Sequence, residues 1–344
     1  MKLSVIIPVY NCDRCLERCL KSALGQQLSS DSVEVIIIDD GSTDNSGAIA
    51  DGYADKFDNV RVFHQQNQGG SAARNRGIEM ATGDYIHFLD SDDFLLFNDS
   101  YECLFNLIRE AGGRVDVLCF SLVRIFDPDK ENLSDYYNLD KVKVSFRGTG
   151  REACENSKFD GFIGPVAFNA QLLKGHDIRF DDDVLWAEDV NFNLRVYAHA
   201  GMVVYTDARI YGYYCNPQSV TLCYERKKLR RLLDNVIEKT PDFIRLFDAY
   251  DLPDFKRKRL LSRAHVIATR LLSLNASYRA TRDYIRRGQE AHLFPFSQYG
   301  ATSRFHRLLD SLMRHPVCFW LMSFPYRYIF NPIIKPILLQ GKNN

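Results

Sequence analysis

Asp84-Tyr85-Ile86-His87-Phe88-Leu89-Asp90-Ser91-Asp92-Asp93 is an apolar run that ends abruptly in carboxylates. Residues 84–89 have the length and continuous apolar character of a parallel strand covered on both faces. The same pattern recurs upstream. Residues 71–81 form a helix after Gly69-Gly70, and 60–63 a third strand. Asp44 can cap a helix running to about Lys56. Residues 33–38 are a second strand that ends in Asp39-Asp40-Gly41-Ser42. Residues 12–25 are helical, and 3–9 are a first strand, closed by Tyr10-Asn11. A βαβαβαβ order implies right-handed crossovers and an open, mostly parallel, doubly wound α/β sheet. Such sheets bind ligands outside the carboxyl ends of their strands, where all four polar clusters fall.

Downstream, the spacing predicts a helix over 99–112, a strand over 115–125 and a polar, loop-rich stretch over 127–160. Helices follow over 165–174 and 188–200, then a strand over 202–214. Everything after about 225 reads as helix. Three regions result: 1–98; 99–222; and 223–344, a basic, aromatic-rich helical extension. The 344 residues are 46% hydrophobic and 26% charged, which excludes disordered, collagenous and small disulfide-rich classes. No apolar run approaches the ~18 residues that cross a bilayer.

A net charge of zero hides a split. Residues 1–224 carry 21 Lys+Arg against 34 Asp+Glu, and residues 225–344 carry 23 against 10. An acidic body suits metal-assisted chemistry, and a basic end suits an anionic surface. Nine cysteines without a secretory signal pattern point to reduced thiols and a cytoplasmic location. Cys12, Cys15 and Cys19 have helical spacing with Leu16 and Leu20, so they read as packing rather than a zinc site.

No G-x-G-x-x-G follows the first strand and no Walker lysine loop occurs, so dehydrogenase and P-loop chemistry are excluded by motif. Asp90 and Asp92 are two apart in extended chain and face one side, with Asp93 beside them. That set suits Mg²⁺ or Mn²⁺ completed by substrate phosphates, and the metal helps a diphosphate leave. An EF-hand fails, because its sixth position is Leu95 and its twelfth Tyr101. Asp40 could accept a uracil imide N–H, although Asp39-Asp40-Gly41-Ser42 is also ordinary turn chemistry. Arg74 could face a base or a phosphate. Glu188-Asp189 opens an amphipathic helix and could supply a general base for an acceptor hydroxyl, or only complement the helix dipole. Asp181-Asp182-Asp183 reads as a solvated loop.

Taken in order, these pieces resemble the family 2 glycosyltransferases of the GT-A fold. The matching stretches are Ser4–Asn11, Ile38–Asp44, Asn67-Gln68-Gly69-Gly70 through Gly77, Gly83–Asp93, and Arg179-Phe180 followed by Glu188-Asp189. The resemblance covers residues 1 to about 220, and implies that 1–98 is the nucleotide-sugar-binding half of a GT-A domain and 99–222 its acceptor-binding half. It implies inverting transfer of a sugar from a nucleotide diphosphate donor, usually UDP-linked, and polysaccharide synthesis. It implies that Pro8 and Tyr10 line the base pocket and that Asp40 reads the base with Arg74 near it. Ser42 and Gly70 belong to the same nucleotide-sugar loops. It sets Asp90 and Ser91 by the ribose and diphosphate, Asp92 with Asp90 on the metal, and Asp189 as base with Glu188 beside it. Relatives often carry a basic residue where this chain has Cys215-Asn216, ahead of Ser219 and Thr221, so Lys or Arg from the C-terminal region would have to serve there.

The C-terminal clusters Arg226-Lys227-Lys228, Arg230-Arg231 and Lys256-Arg257-Lys258-Arg259 suit an anionic membrane surface. The Pro-broken aromatic stretch over 316–340 suits an interfacial position on the inner face of the cell membrane. The expected partners are a nucleotide-sugar donor and a glycan or lipid-linked oligosaccharide acceptor, with no nucleic acid. Two alternatives stand beside this: a polyprenyl-phosphate sugar transferase, and a non-catalytic nucleotide-sugar-binding module.

Overall fold

The computed structural model describes residues 1–156, 158, 159, 161–215, 226–274, 276–300 and 303–326. Ser219, Thr221 and the aromatic residues beyond Tyr326 lie outside them. The chain divides into two compact units, Met1–Asp183 with Ala187–Pro217, and Val184–Trp186 with Gln218–Asn344.

The first unit opens with β1 (Leu3–Val9), α1 (Asp13–Leu24), β2 (Val33–Asp39), α2 (Ser46–Ala54), β3 (Val60–His64), α3 (Gly70–Met80) and β4 (Tyr85–Phe88). Then come β5 (Phe94–Leu95), α4 (Ser100–Glu110), β6 (Val117–Ile125), β7 (Val144–Gly148), α5 (Gly150–Glu155), β8 (Val166–Asn169), α6 (Ala170–Gly175), α7 (Glu188–His199) and β9 (Val203–Tyr214). One sheet runs β3-β2-β1-β4-β8-β6-β9-β5, with β7 also on β9. The β1–β2, β2–β3, β1–β4 and β6–β9 pairs are parallel, while β8 is antiparallel to both its neighbours. All of β2 and nearly all of β1 are buried, as their unbroken apolar sequences require. α1 lays Leu16, Cys19, Leu20 and Ala23 on the core, while Cys12 and Cys15, at its N-terminal end, are only half-buried.

One expectation fails. Residues 166–169 are the fully paired strand β8, and the helix begins only at Ala170, after Asn169 accepts from the Gln171 N–H at 2.8 Å. A four-residue apolar run fits either period, so spacing could not decide. The loop-rich stretch 127–160 also holds the edge strand β7, whose Val144-Ser145-Phe146-Arg147 alternation the sequence reading passed over, and α5, opened by a Thr149/Glu152 capping box.

The second unit is helical: α8 (Arg226–Glu238), α9 (Thr240–Ala249), α10 (Pro253–Ser273), α11 (Tyr278–Glu290), α12 (Arg304–Arg314) and α13 (Pro316–Pro325). Its core joins Leu233, Ile267, Leu271, Phe296 and Phe319, with Trp186 packed against it. Arg263 is buried over the Phe243 ring at 4.5 Å and the Trp186 ring at 5.8 Å. Among the described residues no helix is long and apolar enough to cross a membrane.

Candidate active site

Register sets the site. Val9 pairs with Asp39, so the chain leaves β1 and β2 at one level, and Asp40 N–H donates to Val9 O at 2.8 Å. Asn11, in the left-handed region at φ 50°, accepts from Thr43 N–H at 2.7 Å through Oδ1. Its own N–H donates to the Ser42 hydroxyl at 3.1 Å. Ser42 thus fastens the first loop to the second. Tyr10 stands 52% exposed at the end of β1, an open aromatic face beside half-buried Pro8.

Asp40 is 3% exposed, and its carboxylate is occupied by the loop after β3. It accepts from Gln65 Nε2 at 2.7 Å, Gln68 N–H at 2.9 Å and Gly69 N–H at 2.8 Å. Gly41 must be glycine: φ is +74°, and a Cβ would stand 2.9 Å from Asn67 N. Asp39 is held below the ordinary carboxylate range. Burial opposes this, but hydrogen bonds from Ser42 and His64 outweigh it.

The acidic cluster after β4 divides three ways. Asp93 turns into the core, where its carboxyl accepts from Tyr211 Oη at 2.6 Å and Tyr214 N–H at 2.8 Å. Burial, with Asp90 and Asp92 adding to it, pushes Asp93 up to about 8. Asp93, expected beside the Asp90–Asp92 pair, is thus turned away from it into the core. Asp90 meets Arg74, whose Nη2 donates to Oδ1 at 2.9 Å. Asp92, half-buried, has its backbone carbonyl held by Arg18 Nη2 at 3.0 Å. Arg18 itself lies over the Phe94 and Tyr214 rings at 4.9 and 4.7 Å. Among the described residues no three His, Cys, Asp or Glu are arranged around a metal position. Mg²⁺ commonly takes only one or two protein carboxylates, with water and substrate phosphates completing its shell. Asp92 with Asp90, hard oxygen donors and both partly exposed, fit that demand.

Arg74 connects the two halves of the site. It lies in α3, which opens at Gly70, and its Nη1 stands 3.8 Å from Glu188 Oε1. Asp189, the next residue, acts on it electrostatically. Burial alone would lower the Arg74 pKa, but Asp90, Asp189 and Glu188 together hold it above its usual value. Burial pushes Asp189 well above the carboxylate range. Arg74 opposes that shift, and Glu188 and Asp90 add to it. Asp189 Oδ1 is buried without a hydrogen-bond partner.

The approach to α7 is anchored on α3. Asn75 accepts from Phe180 N–H at 2.8 Å, and its Nδ2 donates to Phe180 O and to Asp182 Oδ1, both at 2.9 Å. Asp181 accepts from Arg195 at 2.8 Å and Asn191 at 2.9 Å. Asp181 is thus fastened within the turn, while Asp182 and Asp183 are exposed, as expected of a solvated loop. Sequence reasoning missed the roles of Arg18, Asn75 and Tyr211. Each acts on a residue 70 or more positions away, and no local pattern marks such a contact.

The profile of the glycosyl transferase family 2 matches residues 4–165. The chain is 31% identical over 269 residues to the uncharacterized glycosyltransferase YibD of Escherichia coli (strain K12), covering 72% of this chain and 75% of that protein. It is 32% identical over 221 residues to the uncharacterized glycosyltransferase EpsJ of Bacillus subtilis (strain 168). That match covers 64% of this chain and 62% of EpsJ, less than two thirds of its length. Among solved structures, Staphylococcus aureus TarS 1–349 in complex with UDP-GlcNAc superposes with a TM-score of 0.68 at 20% identity, covering 95% of this chain and 92% of that one.

Proposed function

The chain belongs to glycosyl transferase family 2, with a GT-A type fold, and on that premise we propose that it moves a sugar from a UDP-linked donor to a hydroxyl of a glycan or lipid-linked glycan, with inversion. The observation that carries this reading is Arg74, which joins Asp90 at the end of β4 to Glu188 and Asp189 at the start of α7. Arg74 thereby stands between the residues assigned to the diphosphate and those assigned to the base. Inversion needs a base on the face opposite the leaving group, and Asp189 supplies a carboxylate with a raised proton affinity and an unpartnered oxygen. Glu188 helps hold Arg74. Tyr10 and Pro8 take the base, and the loop organised by Asp40, Ser42 and Gly70 frames the nucleotide with Ser91. The UDP-GlcNAc bound by TarS supports a uridine donor.

Mg²⁺ or Mn²⁺ would be held by Asp92 with Asp90. When bound it would neutralise charge on the departing diphosphate. A polysaccharide acceptor carried on lipid fits a cytoplasmic enzyme resting on the inner face of the cell membrane, and the basic C-terminal region supports that location.

Asp189→Asn tests the base. With hydroxyl acceptors its transfer should fall by roughly 10²–10⁴, and the wild-type product should show inverted anomeric configuration by NMR. Transfer to a polyprenyl phosphate that survives Asp189→Asn would instead make the chain a polyprenyl-phosphate sugar transferase.

A further inference from the structure

α13 has the sequence Pro-Val-Cys-Phe-Trp-Leu-Met-Ser-Phe-Pro, without a single charge. Phe319 and Ser323 face the helical core. Val317, Leu321 and Phe324, spaced i, i+4 and i+7 on another face, are exposed, as is Met322. A helix apolar all round belongs in a core or in lipid, and half of this one stands exposed among the described residues. Ten residues span about 15 Å, half of a hydrocarbon core, so α13 can lie in a membrane surface but not cross it.

Beside its first turn lies a cavity of about 830 Å³ lined by Arg279, Arg282, Arg286 and Arg314, with Asp283 and Pro316. Arg286 is neutralised by Asp283 at 2.7 Å and Glu290 at 2.6 Å. Among the described residues Arg279, Arg282 and Arg314 have no acidic partner. The Lys256–Arg259 cluster is different: Lys256 pairs with Asp248, Arg257 with Asp254, and Arg259 lies over Phe255. Unpaired guanidiniums beside an uncharged, half-exposed helix match the two layers of an anionic bilayer surface, phosphates outside and acyl chains beneath.

We propose that α13 is an interfacial anchor, seated in the headgroup layer of an anionic phospholipid membrane, with Arg279, Arg282 and Arg314 taking lipid phosphates at its N-terminal end. This rests on the membrane-facing location given above and names the surface responsible.

The test uses the full chain with Trp186→Phe, so that Trp320, which donates to Ala276 O at 3.0 Å, is the one tryptophan. Vesicles of phosphatidylcholine with 30 mol% phosphatidylglycerol should bind it, and acyl-chain-brominated lipid should quench Trp320. Phosphatidylcholine alone should bind at least tenfold more weakly. The combined Arg279→Ala, Arg282→Ala and Arg314→Ala variant should lose roughly a hundredfold in partitioning. Leu321→Glu, at an exposed position that leaves folding and nucleotide release intact, should lose at least tenfold. Sodium phosphate should release the protein no better than sodium chloride of equal ionic strength. If the chain binds no anionic vesicle, the membrane location itself fails. If it binds but both variants bind equally well, or Trp320 is unquenched, α13 is not the anchor. Preferential release by phosphate would make the cavity a site for free phosphate. A dimer in solution that Leu321→Glu dissociates would make the face an interface between copies. Each of these results overturns the proposal.

Discussion

The unpartnered oxygen of Asp189 is chemically the most telling atom in the structure. A buried carboxylate with an unused lone pair is costly unless something docks there, and an acceptor hydroxyl is the natural donor. A base must be ionised to work. Activity should therefore fall as pH drops through the raised Asp189 pKa, at a pH above the ordinary carboxylate range. Arg74→Gln removes the cation that favours ionised Asp189, so in a kcat–pH profile the acidic limb should move to higher pH. An unmoved limb would detach Asp189 from the rate. The motif stretches by themselves mark Asp90, Arg74, Glu188 and Asp189 as candidates. They cannot show that Asp93 faces inward or that Asp40 is saturated by loop N–H groups, because both depend on where Tyr211 and residues 65–69 arrive in space.

α3 and β4 are the elements that bring these residues together. A Cβ on Gly77 would meet Ile6 Cγ2 at 2.3 Å, so glycine is what lets α3 lie against β1. Gly77→Ala should cost about 1–3 kcal/mol, read as a lower urea midpoint, and should slow turnover because Arg74 rides on the same helix. An unchanged midpoint would mean that the helix has slack. In β4, His87 is fully buried between Tyr101 Oη at 3.0 Å and Gly164 O at 2.7 Å, and burial lowers it to about 4. The unfolded chain takes up that proton near 6.5 and the folded one does not until about 4, so stability is full above 6.5 and falls as pH drops between the two. The loss approaches roughly 3 kcal/mol at pH 4. In urea titrations His87→Gln should flatten this slope, and an equal slope in both proteins would exclude His87 as the cause. β1, β2 and β4 were legible because buried parallel strands write apolar runs, and β3 because Val60-Arg61-Val62 alternates. β8 was misread because its short Val-Ala-Phe run fits either period, while two-residue β5 and half-exposed β7 were missed.

Over the whole molecule, the charge split in the sequence follows the division into units. The acidic portion forms the sheet unit with the candidate chemistry, and the basic portion forms the helices. The C-terminal sequence announced helices and positive charge. The neutralised arginines were readable from spacing, since Arg286 pairs with Asp283 and Glu290 on its own helix, but the gathering of Arg279, Arg282 and Arg314 around one cavity depends on how α11 and α12 pack. The central claim is that carboxylates after β4 hold a divalent cation for a departing nucleotide diphosphate. The measurement is nucleotide release from a panel of UDP-sugars, with and without Mn²⁺, by the wild-type chain and Asp92→Ala. Release from at least one donor that requires the metal, stops with chelator and falls by two orders of magnitude or more in Asp92→Ala is the expected result. Release that is indifferent to chelator and to Asp92→Ala would contradict the account.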